Sequence, residues 1–253
     1  MKTILFTCLL AAAVSLASAA PRNDAVTIPT RTGVTQSVFV AYDDEKSVEQ
    51  VVLLFPGGNG LVKINSDQGS PSIRIGGNFL VRSRGLFVAR GVAAVIVDCP
   101  SDQRDGMSDA FRSGKAHATD MSMVVDLIRQ RFPAAKVFLV GTSRGTISAA
   151  ALGESLADKV NGVILTSAVY EMPGFHLPRF SVPALLVHHI NDGCSFCPYR
   201  SAEQASIKFG LPLITISGGK PPLSAPCEAY SQHGFYGNEQ ETVDRMVDWI
   251  RAQ

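Results

Sequence analysis

The chain has 253 residues, enough to enclose one large hydrophobic core, and its 46% hydrophobic and 18% charged residues describe a globular protein. A formal net charge of +1 excludes the basic footprint of a nucleic-acid-binding surface, so partners have to be sought in particular sites. With no internal repeat or long charge block, a single domain is expected over residues 20–253.

The chain opens MKTILFTCLLAAAVSLASAAP, with Lys2 before an apolar run from Ile4 to Leu16 and an A-x-A pattern at Ala17, Ser18 and Ala19. That arrangement predicts a signal peptide over residues 1–19 and a secreted or periplasmic location. The run is shorter than the ~20 residues that a spanning helix needs, so no membrane anchor is expected in the mature chain. Removing the leader removes Cys8 and leaves Cys99, Cys194, Cys197 and Cys227, an even number suited to two disulfides in an oxidising compartment. Three pairings are open to four cysteines.

Beyond the leader, AVTIPT and TQSVFVAYD gather β-branched and aromatic residues on either side of an RTG turn, as two antiparallel strands do. Short apolar runs follow in EQVVLLFPGG, GVAAVIVDCP, AKVFLVGTSRG, VNGVILTSAV, VPALLVHHIND and LPLITISGG. Runs without alternation predict strands buried on both faces of a parallel sheet. Helical patterns lie between them: NFLVRSRGLFVARG with Asn78 as N-cap, HATDMSMVVDLIRQRF, TISAAALGESLADK, PYRSAEQASIKFG and NEQETVDRMVDWIRAQ. The alternation predicts an α/β fold, a mostly parallel doubly wound sheet with helices on both faces and sites outside the carboxyl ends of its strands. No segment is long enough for a separate lid domain, so an open cleft shaped by loops 99–115, 171–181 and 217–236 is expected.

Within AKVFLVGTSRG, the G-x-S-x-G pattern of Gly141, Ser143 and Gly145 is weak alone, because Gly and Ser also make ordinary turns. Here it ends an apolar strand and opens an Ala-rich helix, the setting of a nucleophile elbow. A serine hydroxyl needs a base, and the base needs an orienting acid. His233, in the loop before the last helix, and Asp192, after the VPALLVHHI strand, stand in the required order. Glu171 is the fallback acid. His188 and His189 alternate at a strand end, one expected toward the core and one toward the cleft, whereas His117 and His176 read as structural. An oxyanion would be held by the backbone N–H of Arg144 and by that of Gly57 or Gly58 in the turn PGGNG. The Arg144 side chain, a cation at a helix start, is expected to find an acidic partner such as Asp98 or Asp102.

With elbow, acid and base in this order, the chain resembles the α/β-hydrolase superfamily over nearly all of its mature length. LLFPGGNG, GNFLVRSR, DCPSDQRDGM and GTSRGT are similar to small secreted bacterial serine hydrolases distantly related to dienelactone hydrolases. The resemblance implies a metal-free serine hydrolase without cofactor and does not imply a substrate; a small-molecule ester substrate and a monomer are expected beside it. Dienelactone hydrolases carry a cysteine nucleophile where this chain has Ser143, a departure that favours carboxylesterase chemistry.

Two alternatives stand beside that reading. Cys194-Ser-Phe-Cys197, between a strand and a helix, has the setting of a thiol–disulfide redox motif. The scaffold could also serve as a non-catalytic hydrolase-like binding protein. Cys194 lies two residues after the candidate acid and Cys227 six before the candidate base, so a Cys194–Cys227 bridge would tie their loops together. It would leave Cys197 for Cys99, while a bond between Cys194 and Cys197 stays open.

Overall fold

A computed structural model describes residues 21–66, 70–172 and 175–253. The leader and Cys8 lie outside these residues, and among them no helix is long and apolar enough to cross a membrane. The strands are β1 (Arg22–Arg31), β2 (Val34–Tyr42), β3 (Gln50–Phe55), β4 (Ala93–Val97), β5 (Lys136–Thr142), β6 (Gly162–Thr166), β7 (Ala184–His189) and β8 (Leu213–Ile216). They form one eight-stranded sheet in the order β1-β2-β4-β3-β5-β6-β7-β8. β1 pairs antiparallel with β2, and β2 with β4; every later pairing is parallel.

Helices cover both faces, which is why the inner strands are apolar without alternation. Successive side chains point to opposite faces, so Val51, Leu53 and Phe55 join one core and Val52 and Leu54 the other. The first core is closed by α4 (Lys115–Arg131), α5 (Gly145–Ser155) and α6 (Tyr199–Phe209), through Val124 and Ile128, Ile147 and Ala150, and Ala202. The second is closed by α1 (Phe79–Arg82), α2 (Arg84–Ala89) and α7 (Glu239–Arg251), through Leu80, Phe87 and Val247. Asn78 caps α1, its Oδ1 accepting from Leu80 N–H at 3.0 Å. A short helix, α3 (Asp109–Arg112), capped by Ser108, lies in a stretch read from the sequence as loop. The turns after β3, β5 and β7 and the segment after β8 gather at the carboxyl edge of the sheet, with no large lid over them among the described residues.

Candidate active site

Between β5 and α5 the chain turns so tightly that neither flanking position tolerates a side chain. A Cβ on Gly145 would stand 2.0 Å from the Phe55 carbonyl oxygen, and one on Gly141 2.5 Å from that of Gly145. Ser143, between them, has φ of +51°, a left-handed conformation that costs a serine about 1 kcal/mol or more. Its N–H is tied to the Thr166 carbonyl of β6 at 3.0 Å, so the sheet holds the strained turn in place.

Asp192 lies in the turn after β7, its side chain fully buried. Oδ1 accepts the Cys194 N–H at 2.9 Å. Oδ2 receives two imidazoles, His233 through Nδ1 at 2.9 Å and His188 through Nε2 at 3.1 Å. Burial works to raise the Asp192 carboxyl, but hydrogen bonds from His188, His233 and the Cys194 amide outweigh it and hold the group below the usual carboxylate range. With Nδ1 donating to the acid, His233 keeps Nε2 as acceptor, and this atom is buried without a partner among the described residues. His188 Nε2 also meets the Cys197 carbonyl at 2.8 Å; facing two acceptors, it carries the proton and leaves Nδ1 to accept from Tyr170 Oη at 3.4 Å. The His233 backbone is held too, its carbonyl accepting the Ser167 hydroxyl at 2.7 Å.

Ser143 and His233 line a pocket of about 330 Å³ together with Gly57, Gly58 and Asn78. The Cys197 thiol borders Ser143 as well, both lining a neighbouring pocket. This second pocket, of about 420 Å³, is lined by Ser143 with Arg144, Val169, Phe196 and Cys197.

The turn after β3 presses directly on the serine: a Cβ on Gly57 would lie 2.9 Å from Ser143 Cβ and 3.0 Å from the Thr142 carbonyl oxygen. Gly58 follows with φ of +60° and nothing within 4 Å of an added Cβ. Arg144 precedes α5, where backbone N–H groups lack helical acceptors. Behind the turn, Arg112 is 1% exposed and donates to the Pro56 and Gly58 carbonyls at 3.3 and 3.2 Å and to Ser148 Oγ at 3.1 Å. Burial pushes its guanidinium down to about 10, with no carboxylate hydrogen-bonded to it among the described residues.

Several expectations need correction. The acidic partner of Arg144 is Asp109, bonded from Nε at 2.8 Å. Asp98 instead accepts the Val62, Ile64 and Cys99 amides, and Asp102 pairs with Arg31. Cys194 and Cys227 form a disulfide, but Cys99 and Cys197 are both free. The Cys99 thiol meets the Asn59 carbonyl at 3.4 Å, and Cys197 is turned toward Ser143. The redox reading of Cys194 and Cys197 loses its basis, because Cys194 is bridged elsewhere and burial pushes the Cys197 thiol up to about 12. Neither His188 nor His189 opens on the cleft: His188 is the second donor to Asp192, and His189 meets the Gly218 carbonyl at 3.2 Å. His117 is buried against Phe55 and Phe111, and His176 is exposed on a two-residue strand. Glu171 lies in the strand paired with it, and its side chain is outside the described parts. Tyr170, Ser167 and Arg112 carry no signal of the site in the sequence, and His188 carries one only as half of the paired histidines at a strand end.

The model of the family described as serine aminopeptidase, S33, matches residues 89–192, which span the elbow and the acid. No curated protein matches the chain. Among solved structures, an α/β serine hydrolase homologue from Coxiella burnetii is similar at a TM-score of 0.62 and 18% identity, over 89% of this chain and 96% of that one. An α/β serine hydrolase without lid from Xanthomonas campestris gives 0.59 and 15%, over 88% and 94%. A cold-adapted esterase from an Arctic intertidal metagenomic library gives 0.57 and 17%, over 91% and 94%.

Proposed function

We propose that the chain, which has the α/β-hydrolase fold, is a member of the superfamily of that name and a serine carboxylesterase with Ser143 as nucleophile, His233 as base and Asp192 as orienting acid. One observation carries the reading: a buried Asp192–His233 pair meets, in one pocket, a serine held at left-handed φ on a strand-to-helix turn. His233 Nε2 takes the hydroxyl proton as Ser143 Oγ attacks the ester carbonyl, and Asp192 stabilises the imidazolium. The oxyanion is held by the Arg144 amide and by that of Gly57 or Gly58. His233 then protonates the leaving alcohol, and water releases the acyl group by the same route in reverse. Small-molecule esters are the proposed substrates, and the leader read at residues 1–19 puts the monomeric enzyme outside the cytoplasm.

A fluorophosphonate probe tests the chemistry: one adduct per chain, mapped by mass spectrometry to Ser143 and absent from Ser143→Ala, is the expected result. Failure of the folded wild-type protein to label would sink the reading. The match to a serine aminopeptidase model favours an amide-cleaving alternative. Comparing a p-nitrophenyl ester with an amino-acid p-nitroanilide separates the two, and only the ester is expected to turn over at an appreciable rate.

A further inference from the structure

Cys197 has no role in the proposed ester chemistry, yet it stands at its centre. Its Sγ, the Sγ of Cys194 and a ring nitrogen of His233 lie within 4.8 Å of one another. All three residues are at most 4% exposed. Around a tetrahedral zinc ion, with bonds of about 2.3 Å to sulfur and 2.0 Å to nitrogen, such ligand atoms stand roughly 3.5–3.8 Å apart. The three are therefore within about an ångström of a metal-ligating arrangement, and the bridge to Cys227 is what withholds the first of them.

We propose that this is a latent site for a soft divalent cation, Zn²⁺ or a metal of its class, opened by reduction of the Cys194–Cys227 bridge and built from Cys194, Cys197 and His233. The ligand chemistry fits: two thiolates and one imidazole make a Cys₂His set, and Cys194 and Cys197 have the C-x-x-C spacing of zinc ligands. The second shell is also in place. Metal-bound histidines commonly donate their other ring N–H to a carboxylate, and His233 already gives Nδ1–H to Asp192 while Nε2 is buried without a partner among the described residues. Both cysteines line the open pocket of about 420 Å³ beside Ser143, which provides the route of entry.

The chemistry balances with a dithiol as reductant. Two electrons pass from the dithiol to the Cys194–Cys227 bond, each sulfur gains a proton, and the dithiol closes to its own disulfide. The cation then displaces one proton from each of Cys194 and Cys197 and takes the lone pair of His233 Nε2. The metal-bound form has no free base, so the ester chemistry stops until the metal is removed.

The test uses the full mature chain, reduced with a water-soluble phosphine under argon and titrated with Co²⁺. One Co²⁺ per chain is expected, with thiolate-to-metal charge transfer and tetrahedral d–d bands. Cys197→Ala and His233→Ala should lose the tetrahedral spectrum, Cys99→Ala should keep it, and the oxidised protein should not give it. The Cys227→Ala variant, in which Cys194 has no bridge partner, should bind Co²⁺ as well, with its fold checked by circular dichroism. A spectrum retained in Cys197→Ala, binding equal in oxidised protein, or loss of fold in both reduced wild type and Cys227→Ala would overturn the proposal. The inhibitory consequence rests on the proposed esterase reading: Zn²⁺ should slow fluorophosphonate labelling of the reduced protein about a hundredfold, and a chelator should restore it. The cobalt spectrum does not depend on that reading, and labelling of the oxidised, metal-free protein tests it alone, so the two failures are distinguishable.

Discussion

At the scale of single residues, Gly57 and Gly58 make the sharpest contrast. A methyl on Gly57 collides with Ser143 Cβ and the Thr142 carbonyl, whereas one on Gly58 meets nothing and costs only its left-handed backbone, about 1 kcal/mol. Gly57→Ala is expected to lower kcat on a p-nitrophenyl ester about a hundredfold or more, the cost of a displaced oxyanion donor, with little change in far-UV circular dichroism. Gly58→Ala should lower the melting temperature by a few degrees and spare most of the activity; equal kinetic losses would remove Gly57 from the site. His188 gives a second case, because it shares Asp192 Oδ2 with His233. Replacing it with Leu removes a hydrogen bond that holds the Asp192 carboxyl low, so that carboxyl should rise and the acid limb of the kcat/KM profile move to higher pH, and His188→Gln, which retains a donor, should return it. An unchanged pH profile with a simple loss of stability would make His188 a packing residue.

At the scale of elements, the short helix α3 explains both what the sequence made legible and what it concealed. All eight main strands and both halves of the G-x-S-x-G turn are readable, because apolar runs, punctuating glycines and Ser, acid, His order are local signals. Ser143, Asp192 and His233 are proposed as a triad from that order, and the structure adds that Asp192 holds His233 and that His233 and Ser143 line one pocket. α3 has four residues, too few for a helical period, so neither Asp109 beside Arg144 nor Arg112 behind the turn after β3 could be foreseen. The false pairing of Cys99 with Cys197 came from counting cysteines, which says nothing of distance. At the start of α4, His117 carries a testable consequence. Burial, with Arg112 and Arg31 nearby, pushes its imidazole down to about 3, so an unfolded chain takes up the proton near pH 6.5 and the folded one resists it. Folding stability attributable to this group is full above pH 6.5 and falls by about 1.4 kcal/mol for each pH unit from there toward pH 3. Its two ring nitrogens have no partner among the described residues, so His117→Phe should be near neutral at pH 8 and flatten the loss of denaturation midpoint between pH 6.5 and 4.

At the scale of the whole molecule, the Cys194–Cys227 bridge spans a sequence separation of 33 and encloses α6 and β8 at one end of the sheet. Closing a loop of that length in the unfolded chain is worth about 3–4 kcal/mol, so the metal-free double variant Cys194→Ala/Cys227→Ala should lose roughly that much in urea unfolding. Ester kinetics of whatever fraction remains folded should weaken as well, because the bridge ties the turn carrying Asp192 to the segment carrying His233; unaltered kcat/KM would confine the bridge to stability. That Ser143 lines two pockets, of about 330 and 420 Å³, has a further consequence for how an enzyme of the proposed kind diversifies. On the proposed esterase reading, an ester seated across Ser143 can place its acyl half in one pocket and its alcohol half in the other; Gly58, Ser143 and Cys227 line both, and the remaining walls differ. Ile75 borders one and Phe196 the other, so successive substitutions can retune one half of the substrate while the other half, and the reacting centre, keep their fit.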